Sequence, residues 1–378
     1  MSTAAAEQPL DRRTTERGAT DTGPTKTGDA EVFLERVCGI LDSGAVAIML
    51  SVGHRTGLFD VMAGMPPSSS AAIADQAGLA ERYVREWLAA LVMADIVHHD
   101  PIERTYHLPS AHAACLTREA PLGNMAFFGE HIALLGQVRD RVLECFRSGG
   151  GTRYEDYPCF HQLMAEDSGQ TVVAQLFETI LPLVPGLTER LETGIRVMDA
   201  GCGRGLAMLA LARRYPRSSF VGYDLGSDAI EYARQEALSQ GLTGIRFEQR
   251  DLSGYDEEER YDLITSFDAV HDQKDPQALL HSFYRALKPG GHYLMQDVGA
   301  SADLENNRDF PLAALFYTVS CFHCMPVSLG QGGLGLGTMW GWETALSMLR
   351  SAGFADIQLH RLPHDPTNVW FVSHKRGD

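Results

Sequence analysis

The sequence predicts an α/β protein whose mostly parallel sheet is covered by helices on both faces, preceded by an all-helical N-terminal domain. Three observations carry this. From Ile195 onward, short β-branched runs alternate with helical stretches of roughly 10–15 residues. A glycine-rich turn, VMDAGCGRGLAM, follows the first of those runs and opens a helix. Residues 30–149 keep helical periodicity almost throughout and contain only one short strand-like segment.

At 378 residues the chain suggests two or three domains. With 44% hydrophobic and 21% charged residues it has ample material for a core. The net charge of −17 repels phosphate backbones and argues against nucleic acid as a bulk partner. Seven scattered cysteines fit a reducing compartment. No apolar run approaches the ~18 residues of a membrane span, so the expected location is cytoplasmic, with no membrane partner.

Residues 1–29 are small and polar and read as a disordered leader. VFLERVCGILDSGAVAIMLSVGHRTGLFDVM then gives one or two amphipathic helices. SSSAAIADQAGLAERYVREWLAALVMADIVHHD reads as helix, turn at Gly78, helix, and TYHLPS as a wing strand. That order is a winged helix. Its second helix balances two acids against two arginines in ERYVREW, so a dimerising or substrate-covering role is expected in place of DNA reading. Residues 150–193 form a helical connector. Residues 194–378 read as the sheet domain, with an insertion at 299–341.

In the sheet domain the strands are IRVMDA, SFVGYD, IRFEQRD, YDLITSF, GHYLMQDV, DIQLHRL and NVWFVSHK. No helix separates the last two, which predicts an antiparallel edge pair. Asp199, Gly201, Gly203 and Gly205 occupy the turn after the first strand, where a ligand must approach the backbone without a Cβ in the way. Asp224 ends the second strand, placed for ribose hydroxyls, and Asp251-Leu252 follow the third, placed for adenine. LKPGG precedes the fifth.

These motifs, in this order, resemble the class I S-adenosylmethionine-dependent methyltransferases over roughly residues 170–378. The resemblance implies a seven-stranded Rossmann-like sheet and S-adenosylmethionine as cofactor. It also implies cofactor contacts at Gly201, Gly203, Asp224, Asp251 and Leu252, with Phe267 beside the methionine part. The winged-helix region is similar to the dimerisation domain of plant-type O-methyltransferases, which implies a homodimer. In those enzymes a histidine in a short H-D motif after the fourth strand is the general base, and FDAVHDQKDP puts His271 there. A neutral imidazole can take a hydroxyl proton as the sulfonium is attacked.

A second reading uses His323, which lies in the CFHC segment of the insertion, 323 − 271 = 52 residues later. His271, Asp272 and His323 together supply two imidazoles and a carboxylate, the face used by mononuclear metals with open positions for a chelating substrate. Taken alone, His323 also reads as a buried hydrogen-bonded histidine, and Cys321 and Cys324 as small core residues. The H-D pair with a later FHC histidine resembles the metal-dependent α-keto acid C-methyltransferases that build β-methylated amino acids for nonribosomal peptide antibiotics. That resemblance implies a metal, iron or zinc foremost, held by His271, Asp272 and His323, and a small α-keto acid as substrate. The metal-free O- or N-methyltransferase with His271 as base is the alternative. A winged-helix regulator that senses a metabolite is a third reading, disfavoured by the acidic balance. The glycine-rich LGQGGLGLGTMWG, Leu329 to Gly341, reads as a lid or tight loop near His323, or as a surface connection.

Overall fold

Periodicity and capping explain the helical N-terminal region. The computed structural model describes residues 27–120 and 123–377. The expected leader therefore lies outside the described residues up to position 26. Its last residues, from Thr27, already belong to the helix Thr27–Thr56. The chain separates into a short unit ending at Ala45 and a large unit, Val46–Asp378. In the short unit Val32, Phe33, Leu34, Ile40 and Leu41 are exposed.

In the large unit, Ser69 caps helix Ser70–Ala77 by accepting from the Ala72 amide, and Gly78 ends it with φ 66°. Helix Glu81–Met93 buries Val84, Trp87, Leu88 and Leu91. Their spacing of three and four residues puts them on one stripe. Two short antiparallel strands, β1 (His98–Asp100) and β2 (Thr105–His107), complete the wing. On the second helix Arg82 pairs with Glu86 and Arg85 with Glu81, so its arginines are already spent on neighbours.

Seven strands build the main sheet: β3 (Arg196–Ala200), β4 (Ser219–Asp224), β5 (Ile245–Gln249), β6 (Tyr261–Phe267), β7 (Leu287–Val298), β8 (Ala355–Leu362) and β9 (Asp365–His374). Their order is β5-β4-β3-β6-β7-β9-β8. The first five are mutually parallel, β9 runs antiparallel to β7, and β8 is the antiparallel edge. LKPGG lies at the start of β7, where the pairing with β6 shifts register between Tyr261 and Leu263.

Alternation along the strands divides the core into two layers. Val197, Leu263 and Leu294 face one layer with Met208 and Ala233; Met198, Ile264 and Met295 face the other with Leu280 and Phe283. Each such large apolar side chain contributes roughly 1.5–3 kcal/mol by leaving water. Helix Phe128–Ser148 shares a separate core with Tyr157, Leu163 and Val327, so it packs with the connector and the insertion.

By length and composition alone, helical segments 28–56 and 313–330 would pass as membrane spans, which the sequence reading did not anticipate. The second contains buried His323 and Ser328 and belongs to the folded large unit.

Candidate functional site

The turn after β3 closes tightly. Gly201 has φ 71°, and a Cβ there would lie 2.4 Å from the Ala269 methyl, so only glycine lets the two loops meet. Asp224, at the end of β4, accepts from the Gly203 amide at 2.8 Å and from the Gly226 amide at 2.7 Å. One carboxylate thus fixes two loops around a cavity. Asp199, Gly201, Gly203, Asp224, Leu252 and Phe267 all line it. Asp199 is buried and bonded by Thr265 at 2.7 Å; burial pushes its carboxyl up to about 7.

Two expected cofactor residues stand elsewhere. Gly205 opens helix Leu206–Arg214 with φ 72° and is not part of the cavity lining. Asp251 lines a neighbouring cavity, and its carboxylate caps the next turn by accepting from the Ser253 amide at 2.7 Å. Arg250, which the sequence reading passed over, lines the main cavity and lies over the rings of Tyr223 and Tyr255.

A second cavity adjoins the first. Phe160, Met164, Asp268 and Asp272 line both. His271, Asp272 and His323 all line the second, so the structure brings the three expected residues to one space.

His271 is buried, with Nδ1 2.9 Å from Asp297 Oδ1. That oxygen also accepts from Trp340 Nε1 and the Val298 amide. Burial alone would depress the imidazole, but the Asp297 carboxylate outweighs it and holds His271 well above its ordinary value. Asp272 accepts from the Tyr154 hydroxyl at 2.6 Å and from Gln273 at 3.2 Å. Burial raises its carboxyl, and His271 opposes the rise.

His323 sits in a π-helical turn, Ser320–Cys324, between helices Ala313–Val319 and Met325–Gly330. Such turns re-aim a side chain out of the regular helical path. Its ring stacks on Phe160 with centroids 4.0 Å apart and meets the edge of Tyr157 at 4.5 Å. Nδ1 lies 3.5 Å from Cys324 Sγ, while Nε2 is buried and has no hydrogen-bond partner among the described residues. Burial, then the neighbouring His271, pushes the imidazole down to about 3, so it is neutral.

By donor type alone these residues are those a cation takes: two imidazoles and a carboxylate on one cavity, with His271 oriented through its other nitrogen by a carboxylate. The group whose ligand atoms already lie within 4.8 Å of one another is Asp268, His271 and Asp297. Neither Asp272 nor His323 belongs to that compact group.

The glycine-rich segment packs beside His323. Thr338 bonds the Cys324 sulfur, Trp340 bonds Asp297, and a Cβ on Gly337 would come within 2.2 Å of Ser320 Oγ. Sequence reasoning missed Asp297, Asp268 and Tyr154. A lone aspartate inside the buried run LMQDV was the available signal for the first.

Residues 44–118 match a family model described as an Rv2258c-like winged HTH domain, and residues 191–353 match a methyltransferase domain. The chain is similar to the ubiquinone biosynthesis O-methyltransferase of Photorhabdus laumondii, 29% identical over 28% of this chain and 43% of that protein. The Aliivibrio fischeri protein of the same name is 33% identical over 26% and 42%. These matches span less than half the length of those relatives. Among solved structures, a putative O-methyltransferase from Nostoc punctiforme superposes with TM-score 0.67 at 22% identity, over 94% of this chain and 100% of that one. Human N-acetylserotonin methyltransferase bound to S-adenosylmethionine gives 0.61 at 18% identity, over 94% and 100%. These likenesses establish the fold: a winged HTH domain followed by a Rossmann-like methyltransferase domain.

Proposed function

We propose that this chain, an Rv2258c-like winged HTH domain joined to a class I methyltransferase domain, transfers the methyl group of S-adenosylmethionine to the β-carbon of a small α-keto acid held by a metal ion. The product would serve as an antibiotic precursor of the nonribosomal peptide kind. One observation carries the reading. His323 keeps a buried, neutral, unpartnered Nε2 on the same cavity as His271 and Asp272. Leaving such an atom unsatisfied costs about 1–3 kcal/mol, which a bound ligand offsets.

The cofactor takes the first cavity, where Asp224, the Gly203 amide and Asp199 surround its polar parts. Phe160, Met164, Asp268 and Asp272 mark the junction across which the methyl group passes. His271, Asp272 and His323 would hold the ion. When bound, it supplies Lewis acidity that stabilises negative charge developing on the keto oxygen. Asp297 fixes the His271 ring through Nδ1 and leaves Nε2 as the ligating nitrogen. Tyr154 orients Asp272, and the Phe160 stack orients His323, so the donor atoms are held by packing. The winged domain serves dimerisation: Arg82 and Arg85 are paired with acids, and Val32, Phe33, Leu34, Ile40 and Leu41 are exposed. A cytoplasmic homodimer follows from this reading.

A second reading has a specific observation in its favour. The buried His271–Asp297 pair also suits a general base for O- or N-methylation without metal, and the relatives named above are O-methyltransferases. Elemental analysis of purified protein, with a panel of α-keto acids followed by mass spectrometry for the gain of one CH2, tests the choice. Stoichiometric metal, and loss of both metal and turnover in His323→Ala, is expected. Metal-free protein with chelator-insensitive turnover, unchanged in His323→Ala, would establish the second reading.

A further inference from the structure

The stripe of helix Phe128–Ser148 that lines the second cavity has one polar member. Phe128, His131, Leu134 and Leu135 recur at helical spacing, and all four line that cavity. His131 therefore stands where the pattern calls for an apolar side chain. A polar group set against its own pattern points to a ligand when the fold gives it no partner.

His131 lacks such a partner. Its Nδ1 is buried and has no hydrogen bond among the described residues. The Phe127 ring meets the imidazole edge-on at 5.3 Å, and Phe128 stacks on it at 5.8 Å, so packing alone sets its orientation. His131 is not one of the three residues assigned to the ion, and it lines the second cavity without lining the cofactor cavity. A group that it receives is set apart from the junction where the methyl passes.

Charge narrows what that group can be. Burial pushes His131 down to about 4 with no charged neighbour contributing, so the imidazole is neutral and offers one N–H and one lone pair. A carboxylate on the substrate body would meet Asp167, Asp268 and Asp272 on the same cavity. An ammonium only donates, and it is drawn to those carboxylates before a neutral ring. A hydroxyl both donates and accepts, so it satisfies the imidazole in either tautomer.

We infer that His131 is a specificity-determining residue that hydrogen-bonds a hydroxyl on the apolar body of the substrate, a phenol in the simplest case. The α-keto acid end of that substrate rests on the proposal above; recognition of the hydroxyl does not.

The test has two arms. Full-length protein loaded with S-adenosylhomocysteine is titrated with phenol and with fluorobenzene, which has nearly the same shape and no hydroxyl proton, and binding is followed by ligand-observed NMR. Phenol is expected to bind at least about tenfold more tightly to the wild type, because the analogue leaves the imidazole unpaired. His131→Phe, which keeps the aromatic packing, should erase the difference, and His131→Asn, which keeps a donor and an acceptor, should retain part of it. The second arm compares methyl transfer to 4-hydroxyphenylpyruvate and 4-fluorophenylpyruvate, with the preference for the hydroxyl expected in KM and not in kcat. Equal binding of phenol and fluorobenzene by the wild type overturns the inference whether or not the variants fold. So does a preference that survives His131→Phe, tighter binding of benzylamine or benzoate than of phenol, or loss of bound metal in His131→Phe, which would make the imidazole a ligand. If the phenol preference depends on His131 but neither keto acid is methylated, the α-keto acid reading fails and the role of His131 stands.

Discussion

Asp297 Oδ1 accepts three hydrogen bonds at 2.9 Å, from His271 Nδ1, Trp340 Nε1 and the Val298 amide, and so fixes which nitrogen of His271 is left for chemistry. The pair joins the C-terminal end of a buried strand to the loop that follows the neighbouring one. Asp297→Asn keeps the volume but offers an amide where three donors converge. The expected result is a 10–100-fold loss of metal affinity, typical of removing the carboxylate behind a ligating histidine. Metal titration of the apo variant checks it; unchanged affinity would detach Asp297 from the site.

His323→Phe separates function from stability. Phenylalanine keeps the stack on Phe160 and the edge contact with Tyr157, and removes a buried nitrogen that has no partner. The variant should therefore melt at or above the wild-type temperature while losing metal and turnover. A variant that melts lower and retains activity would mean that His323 serves the fold.

How much of this site could be read beforehand follows from what local sequence encodes. The strands, the glycine turn and Asp224 were legible because alternation, left-handed turns and strand ends leave marks within a few residues. His271 and Asp272 were legible through a local motif. Asp297 was not, because its partner lies 26 residues away and only the sheet makes them neighbours. Tyr154 meets Asp272 across 118 residues, a contact created by folding the connector over the cavity. Asp251 carries a local role that its place after a strand does not mark: its carboxylate caps the next turn.

Asp224 ties the Gly203 and Gly226 amides to one carboxylate. Hydrogen bonds to a charged group contribute about 1.5–3 kcal/mol each when intact. Asp224→Ala should weaken S-adenosylhomocysteine binding roughly 10–100-fold by calorimetry, with metal content unchanged. Parallel loss of metal would show that the variant disturbs the whole fold and not the cofactor loops alone.

Acid sensitivity should come in part from His292, far from the candidate site on the β7 strand. Its Nδ1 accepts from Arg190 at 3.2 Å, and the His374 ring lies 5.9 Å away. Burial, then Arg190 and His374, lowers its pKa from 6.5 to about 4, because a proton there would put a second positive charge beside the guanidinium. The unfolded chain thus binds a proton that the folded chain refuses between those two values. Stability is full above about pH 6.5, falls as pH drops, and levels off below about 4. Asp199, raised to about 7, acts in the opposite direction over part of the same range, so the wild-type curve alone does not isolate His292. His292→Gln keeps an acceptor for Arg190 and cannot titrate. Denaturant-derived stability of the variant should fall less steeply than that of wild type from pH 6.5 to 4, with the difference reaching about 1–3 kcal/mol at the acid end. Superimposable curves would mean that Arg190 turns away and lets the imidazole charge without cost.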